Sequence, residues 1–489
     1  MNIKILVCTS HRSLDAVGSS PPSTRTLCYN ARAWNGGKLV AESIIPSASL
    51  DRTQRVAWGV LLISFAIFCL LCVASVIGAY LFLFESTMPM ESELRVSRGT
   101  AVVVGSDMLE QGVRTGVQLF NSALISTDAI SQAALTVFDQ NHDNLAVATV
   151  TLKSGSAVDM KNVSRPRFDW GTQAYWMDFA SVYGDIDVYI PQNLGRDILI
   201  TLRTTQGTAV WLTAPGQYSI VAVGTQVAVT NNGGEAVLIR PGQQGSDRIP
   251  AGETIIYQVD TDTLDTSLAL TSLIGSRTFT PENVADYNDP NSRSAYTWRC
   301  NSVENDAPDG IYRLLTEDSR PTMNFYRDDG AVSHAETSCS LSFGTQGFDV
   351  SRLTYLSVRA TFKVAGHSLS TCGSQGSECP LMLRMDYYPV DSATNERGGE
   401  LVSWIHGFFS TFRPELNYPL NCDSAGCTQH EIVNQDTWYI YESGNLLTQP
   451  LLPRPDAITV FRFYASGHEY DVYVSEISLL ADGHEIPLG

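Results

Sequence analysis

Residues 217–240 read QYSIVAVGTQVAVTNNGGEAVLIR. Apolar side chains alternate with small or polar ones through 217–224, 225–230 and 235–240, the period-two pattern of half-buried strands. Between the last two runs stands Asn231-Asn232-Gly233-Gly234, residues that tolerate positive φ, and this predicts a tight hairpin there. Working outward, the same pattern returns at AVVVG 101–105, IDVYI 186–190, ILITL 198–202 and TIIYQV 254–259. Short strands at this spacing predict an all-β sandwich, barrel or roll over about residues 95–262.

A second all-β region is predicted over 268–489, with 263–295 supplying a linker and its first strand. Its candidate strands are YLSVRATFKV at 355–364, PLMLRMDYY at 380–388, ELVSWIHGFF at 400–409, AITVFRFYA at 457–465 and YDVYVSEISLL at 470–480. Two packed antiparallel sheets bury alternate residues of each strand, which suits these runs. The aromatic density is high, and Trp404, Phe412, Trp438 and Tyr441 are candidates for flat sugar-binding platforms. The competing expectation is core packing, because each aromatic buries about 150–250 Å² and a sandwich needs many. Asp423, Asp471 and Glu476 offer oxygen ligands for a cation, with solvated surface acids as the plainer reading.

From 56 to 84 the chain reads VAWGVLLISFAIFCLLCVASVIGAYLFLF without a charged residue. As a helix at about 1.5 Å per residue it would extend roughly 43 Å, against a hydrocarbon core of about 30 Å. Its Leu, Ile, Val and Phe residues each favour insertion by roughly 0.3–0.6 kcal/mol. A cleaved signal peptide would need a shorter n-region, a shorter apolar run and a small-x-small site, and none is present. Arg52 and Arg55 precede the span while Glu85, Glu91 and Glu93 follow it, so positive charge retention predicts a cytoplasmic N-terminus and residues 85–489 outside. The expected topology is single-pass type II in the cell membrane, with 1–55 a basic, flexible tail that could meet a cytosolic partner.

Charge agrees with two compartments. Seven Lys/Arg and three acids give residues 1–55 a net +4, whereas the rest of the chain carries −23, for a total of −19. An acidic body argues against nucleic acid as a partner. Six of the ten cysteines (Cys300, Cys339, Cys372, Cys379, Cys422 and Cys427) fall in the region predicted to lie outside, where an even cluster reads as disulfides. Fifteen pairings exist; proximity favours Cys372–Cys379 and Cys422–Cys427, leaving Cys300–Cys339. The rival is a zinc site of Cys372, Cys379, Cys422 and Cys427 with His406 or His430, although the C-x6-C and C-x4-C spacings differ from short zinc knuckles.

Several stretches of the first β region, taken in order, resemble the FecR-like extracytoplasmic domain. They are Arg98-Gly99-Thr100, Gly116-x-x-Leu119 running to Leu124-Ile125-Ser126-Thr127, Ser131-x-Ala133-x-Leu135, and TVTLKSGSAVDM at 149–160 as one strand. AVWLTAPGQYSIVAVGTQVAVTNNGGEAVLI at 209–239 follows, and Ile249-Pro250-Ala251-Gly252-Glu253 closes the series. The likeness covers about a third of the chain. It departs from the family at Asn121-Ser122 and in lacking a helical sigma-factor-binding region before the span. The resemblance implies a β-rich envelope module that senses or binds something. The ends of the second region, Ser272-Leu273-Ile274 with Phe279 and 474–480, resemble galactose-binding-like jelly rolls. That likeness implies paired first and last strands, carbohydrate binding and a structural calcium.

No G-x-S-x-G elbow, phosphate-cradling G-x-x-x-x-G-K-[ST] loop, H-E-x-x-H or G-x-G-x-x-G occurs. His430-Glu431, His468-Glu469 and His484-Glu485 begin like zinc-protease motifs but lack the second histidine. The sequence therefore reads as a membrane-anchored envelope protein whose outer β domains bind a ligand or cell-surface material such as a glycan, with no catalytic residues assigned. The alternatives are a FecR-type transmembrane signalling receptor and an extracellular glycan hydrolase, whose paired carboxylates would leave no local pattern.

Overall fold

The computed structural model describes Cys8–Thr9, Leu27–Cys28 and residues 52–482, apart from 107, 121, 143, 276, 290–295, 303–309, 329–332, 392–393, 395–396 and 451. The chain divides into two units, Met1–Val76 and Ile77–Gly489. In the first, Cys8–Thr9 and Leu27–Cys28 form a two-stranded antiparallel sheet. The basic residues of the tail before Arg52, and His484, lie outside the described residues. The helix Arg52–Tyr80 has no buried residue and continues into the π-helical turn Leu81–Glu85. It is the one described helix long and apolar enough to cross a membrane. A buried core helix would not show this all-round exposure.

Beyond the helix the described residues are mostly β. Strands from Thr87–Pro89 to Thr263–Leu268 close into a barrel. The 16-residue strand Tyr175–Ile190 holds it together. Its first half pairs with Ala157–Pro166 and, in parallel, with Ile198–Thr204; its second half pairs with Leu145–Leu152 and Gly216–Val223. The strand bends where Ser181 and Gly184 take positive φ. A Cβ on Gly184 would stand 2.6 Å from the Ser156 Cα, so only glycine fits the bend. The core is a continuous set of Val, Ile, Leu and Phe, including Leu94, Val150, Phe179, Ile200 and Ile220.

Two local expectations change. Asn231-Asn232-Gly233-Gly234 does not turn a hairpin. The strand Gln226–Asn231 pairs with Gly216–Val223 and Glu253–Gln258, whereas Ala236–Ile239 pairs with Ala209–Leu212 and Ser246–Ile249. The four residues instead carry the chain from one set of strands to the other. Gly234 has φ +114°, and a Cβ there would collide with the Tyr218 hydroxyl and the Pro215 carbonyl. Residues 149–160 form parts of two strands, Leu145–Leu152 and Ala157–Pro166, broken at 153–156; both pair with Tyr175–Ile190.

The second β region is a two-sheet sandwich within the same compact unit as the barrel. One sheet runs, in spatial order, Ile311–Glu317, Arg320–Arg327, Tyr470–Ala481, Leu356–His367, Tyr439–Glu442, with Thr271–Ser272 added to Tyr470–Ala481. The other centres on Ala335–Ser342, Pro455–Gly467, Leu381–Pro389 and Val402–Phe409. First and last strands pair, Thr271 with Ala481 and Ser272 with Leu480. Trp298, Phe325, Phe461 and Phe463 pack between the sheets, with the Trp298 and Phe463 rings edge to face at 4.9 Å. Disulfides join Cys300–Cys339, Cys372–Cys379 and Cys422–Cys427.

Candidate functional site: a groove along the domain seam

Barrel and sandwich meet through polar groups contributed by both. Arg359 of the sandwich lies 3.2 Å from Asp187 of the barrel, and Lys153 bridges Asp185, Asp187 and the sandwich residue Glu442 at 2.9–3.2 Å. Burial opposes ionisation of Asp187, but Arg359 and Lys153 outweigh it and hold its carboxyl down at about 2. Asp185, with burial the larger influence and Asp187 and Glu442 close by, is pushed up to about 6. Asn434 reaches into the barrel, its amide donating to the Val96 and Arg114 carbonyls at 2.7 and 2.9 Å. The Gln132 side chain exchanges two hydrogen bonds, 2.9 and 2.8 Å, with the main chain of Ile440. Ile440 belongs to the edge strand Tyr439–Glu442, so one amide side chain stands where a neighbouring strand would.

Beside these contacts the seam opens. A cavity of about 380 Å³ is lined from the barrel by Glu93, Arg95, Thr136 and Phe138 and from the sandwich by Glu317, Asp318, Lys363 and Trp438. A second cavity of about 450 Å³ shares Glu93, Arg95 and Thr437, and adds Thr115, Gly116, Ser410 and Asn434. Together they make one groove, each half within the roughly 300–1,000 Å³ of small-molecule sites.

Strand alternation puts these groups there. Glu93 and Arg95 are two apart on Glu91–Arg98 and share a face, while Leu94 and Val96 between and beyond them point into the barrel core. Asp318 and Ser319 turn between Ile311–Glu317 and Arg320–Arg327 with positive φ, which presents Asp318 to the seam. Several of the charges are paired. Arg95 bonds Glu93 at 2.8 Å and donates to the Asp436 carbonyl at 2.8 Å; Lys363 pairs with Glu317 and with Asp318 at 2.9 Å. Trp438 donates its indole N–H to Asp318 at 2.9 Å. Ser410 also lines the second cavity, but its hydroxyl is sealed from solvent and has no hydrogen-bond partner. Asp436 lines the groove as well, so four carboxylates (Glu93, Glu317, Asp318 and Asp436) stand against two cations (Arg95 and Lys363), and the groove combines hydroxyl and amide groups with a net negative charge.

Of the four aromatics singled out from the sequence, only Trp438 borders this groove, and it does so with a nearly buried ring. Trp404 and Tyr441 are core, not platforms. Both point inward from their strands and flank the buried His406, whose ring lies parallel to each. Phe412 is half exposed, beside Phe409 and away from the groove's lining. Asp423, Asp471 and Glu476 do not draw together. Asp471 accepts from Asn324 at 2.7 Å, and Glu476 is sealed against Arg359 and Thr361. Among the described residues, the gatherings of three or more metal-type donors are Cys372, Cys379 and His430, and Cys422, Cys427 and His430. Their cysteines are disulfide-bonded, and His430 already accepts from the Gly407 N–H at 2.9 Å and lies 2.8 Å from the Gly376 carbonyl. The sequence reading missed Glu93, Arg95, Lys363 and Ser410, because no local pattern marks a site assembled across the seam.

No family model matches the chain, and no curated protein matches it. Solved structures give distant likenesses. A candidate anti-sigma factor of Parabacteroides distasonis is 16% identical with a TM-score of 0.22 over 30% of this chain, which spans 59% of that protein's length. A family 30 carbohydrate-binding module of a Clostridium thermocellum cellulase is 10% identical over 38% of this chain and 92% of the module, TM-score 0.21. A family 11 module from the same organism is 11% identical over 41% and 96%, TM-score 0.22.

Proposed function

We propose that this is a single-pass membrane protein whose barrel and sandwich together bind a polyhydroxylated ligand, a cell-surface glycan, in the seam groove. The observation that carries the reading is the groove's chemistry. Hydroxyl, amide and ionic groups of the barrel and the sandwich line one groove together with Phe138 and Trp438. Sugars are matched by this mixture, because their hydroxyls need donors and acceptors together and their C–H faces need an apolar surface. The role proposed is binding without turnover. Residues 52–84 anchor the protein, with the N-terminus cytoplasmic and residues 85–489 outside. Full-length protein in detergent, titrated calorimetrically against soluble cell-wall oligosaccharides, should show saturable binding. Heatless titrations across such a panel with folded protein would remove the reading. Protease added to intact cells should shave the C-terminal mass, and its survival until lysis would overturn the orientation.

A second reading, transmembrane signalling of the FecR type, is favoured by the tight join between helix and barrel. Gln173 donates to both the Glu85 carbonyl and carboxylate, and Thr87–Pro89 pairs directly with Ala157–Pro166. A ligand-driven shift of the barrel would reach the helix with no slack linker between. A cytosolic partner recovered with residues 1–55 would support this; a tail that captures none would not.

A further inference from the structure

The join between helix and barrel carries an aromatic step. Phe82, inside the apolar run that ends at Phe84, meets Phe168 of the barrel edge to face at 5.7 Å, and Phe168 stacks on Trp170 at 4.7 Å with rings 9° from parallel. Arg167 lies 5.4 Å over the Phe82 ring. This loop is not slack. Arg196 ties three of its carbonyls, Asp169, Gly171 and Gln173, at 2.6–2.9 Å, and the Arg167 N–H donates to the Ser86 carbonyl at 3.0 Å. Yet Trp170 is 61% exposed. The exposed ring continues the Phe82–Phe168 step as one contiguous aromatic surface, and contiguous exposed apolar surface marks contact with another phase or partner.

The same end of the barrel bears more. Met160 pairs with Ala123 and Pro166 with Thr87, so stepping back from Ala123 to Phe120 moves toward the helix. Val104 pairs with Leu124, so Met108, in the loop that follows Val104, lies at that end too. Phe120 is 81% and Met108 80% exposed.

We propose that Phe168 and Trp170, with Phe120 and Met108 at the same end of the barrel, dock into the interfacial layer of the bilayer that the helix crosses. This rests on the reading of 52–84 as a membrane span. A ring in contact with Phe82 shares that residue's depth to within a ring's width. Phe82 lies three residues before the first charge, Glu85. Trp at this level sits where aromatic belts gather, at the boundary of acyl chains and headgroups. Arg167, exposed beside it, suits a lipid phosphate. The docked barrel then has a fixed tilt, and the seam groove a fixed direction relative to the membrane.

The test uses the intact chain carrying 5-fluorotryptophan in phosphatidylcholine nanodiscs, with and without lipid bearing a nitroxide near the headgroup. Trp58→Phe, Trp170→Phe and Trp298→Phe assign the three resonances. Trp170 should lose most of its intensity with nitroxide lipid, as Trp58 in the helix does, while the core residue Trp298 keeps its own. Broadened Trp58 with untouched Trp170 would overturn the docking and leave the span standing. If neither is broadened, the span itself fails and the docking with it. A Trp170 signal that ignores the nitroxide but shifts with the number of chains per disc would give the patch to a second copy, and would equally overturn the proposal.

Discussion

Arg359 and Asp187, 172 positions apart in the chain, meet at 3.2 Å with both side chains nearly sealed from solvent. Arg359 also lies 2.6 Å from Glu442 and 3.5 Å from Glu476, so one guanidinium serves acids of both domains. Arg359→Met keeps the stem and removes the charge, leaving Asp187 and Glu476 buried without it. Loss of one partner of a buried pair costs about 3–5 kcal/mol. Urea unfolding of Arg359→Met should show a loss of that order, and adding Asp187→Asn should return part of it. Equal stability of variant and parent would mean the seam is not held by this cluster.

His406 sets a pH dependence. Burial, aided by proximity to His430 and the Arg98 cation, pushes its imidazolium down to about 3. Its folded value lies below the unfolded value of about 6.5, so the stabilisation is full above pH 6.5 and falls as pH drops toward 3. At pH 5 this one group should cost about 2 kcal/mol relative to neutral pH. His367, pushed to about 4 by burial, acts in the same sense. Asp185, raised to about 6, acts in the opposite one. The share of His406 is therefore read as a difference: His406→Phe should flatten the stability–pH curve between pH 6.5 and 5. Parallel curves would refute the assignment.

Cys300 and Cys339 face each other directly across paired strands, 39 positions apart in the chain. Closing a loop of that length is worth about 4 kcal/mol in the chain-entropy picture and about 2–4 in typical practice. The double variant Cys300→Ala/Cys339→Ala should lose stability in that range in chemical denaturation. Non-reducing peptide mapping should return the three pairs Cys300–Cys339, Cys372–Cys379 and Cys422–Cys427.

Gly116 lines the groove with ordinary negative φ, and a Cβ there would find its nearest neighbours 3.6 Å away. Gly116→Tyr should fill the cavity without straining the backbone. Oligosaccharide affinity should fall at least about tenfold, some 1.4 kcal/mol, with the unfolding midpoint unmoved. Undiminished binding would place the ligand elsewhere.

The sequence made some of this legible. The helix is visible because 29 uncharged residues have no other solvent to suit them, and the strands at 198–204 or 470–481 because their alternation is a property of each strand alone. What a run cannot encode locally is its partner. Asn231-Asn232-Gly233-Gly234 specifies positive φ equally well in a hairpin and in a crossover between strand sets, and here it makes the crossover, with the Tyr218 hydroxyl against Gly234. Trp404 and Tyr441 looked like platforms because composition does not say which face of a strand is inward. The groove was invisible for the same reason: Arg95, Lys363 and Ser410 become neighbours only when two domains close on each other.

Gln132 offers a last consequence. By giving and taking one hydrogen bond at Ile440, it occupies a sheet margin that would otherwise be an open template for any extended peptide. The sandwich freed of the barrel would bare that margin, and self-association is the expected fate of such a fragment. The barrel is in this sense a built-in chaperone for its neighbour, and any dissection of the chain into separate domains has to replace that single amide.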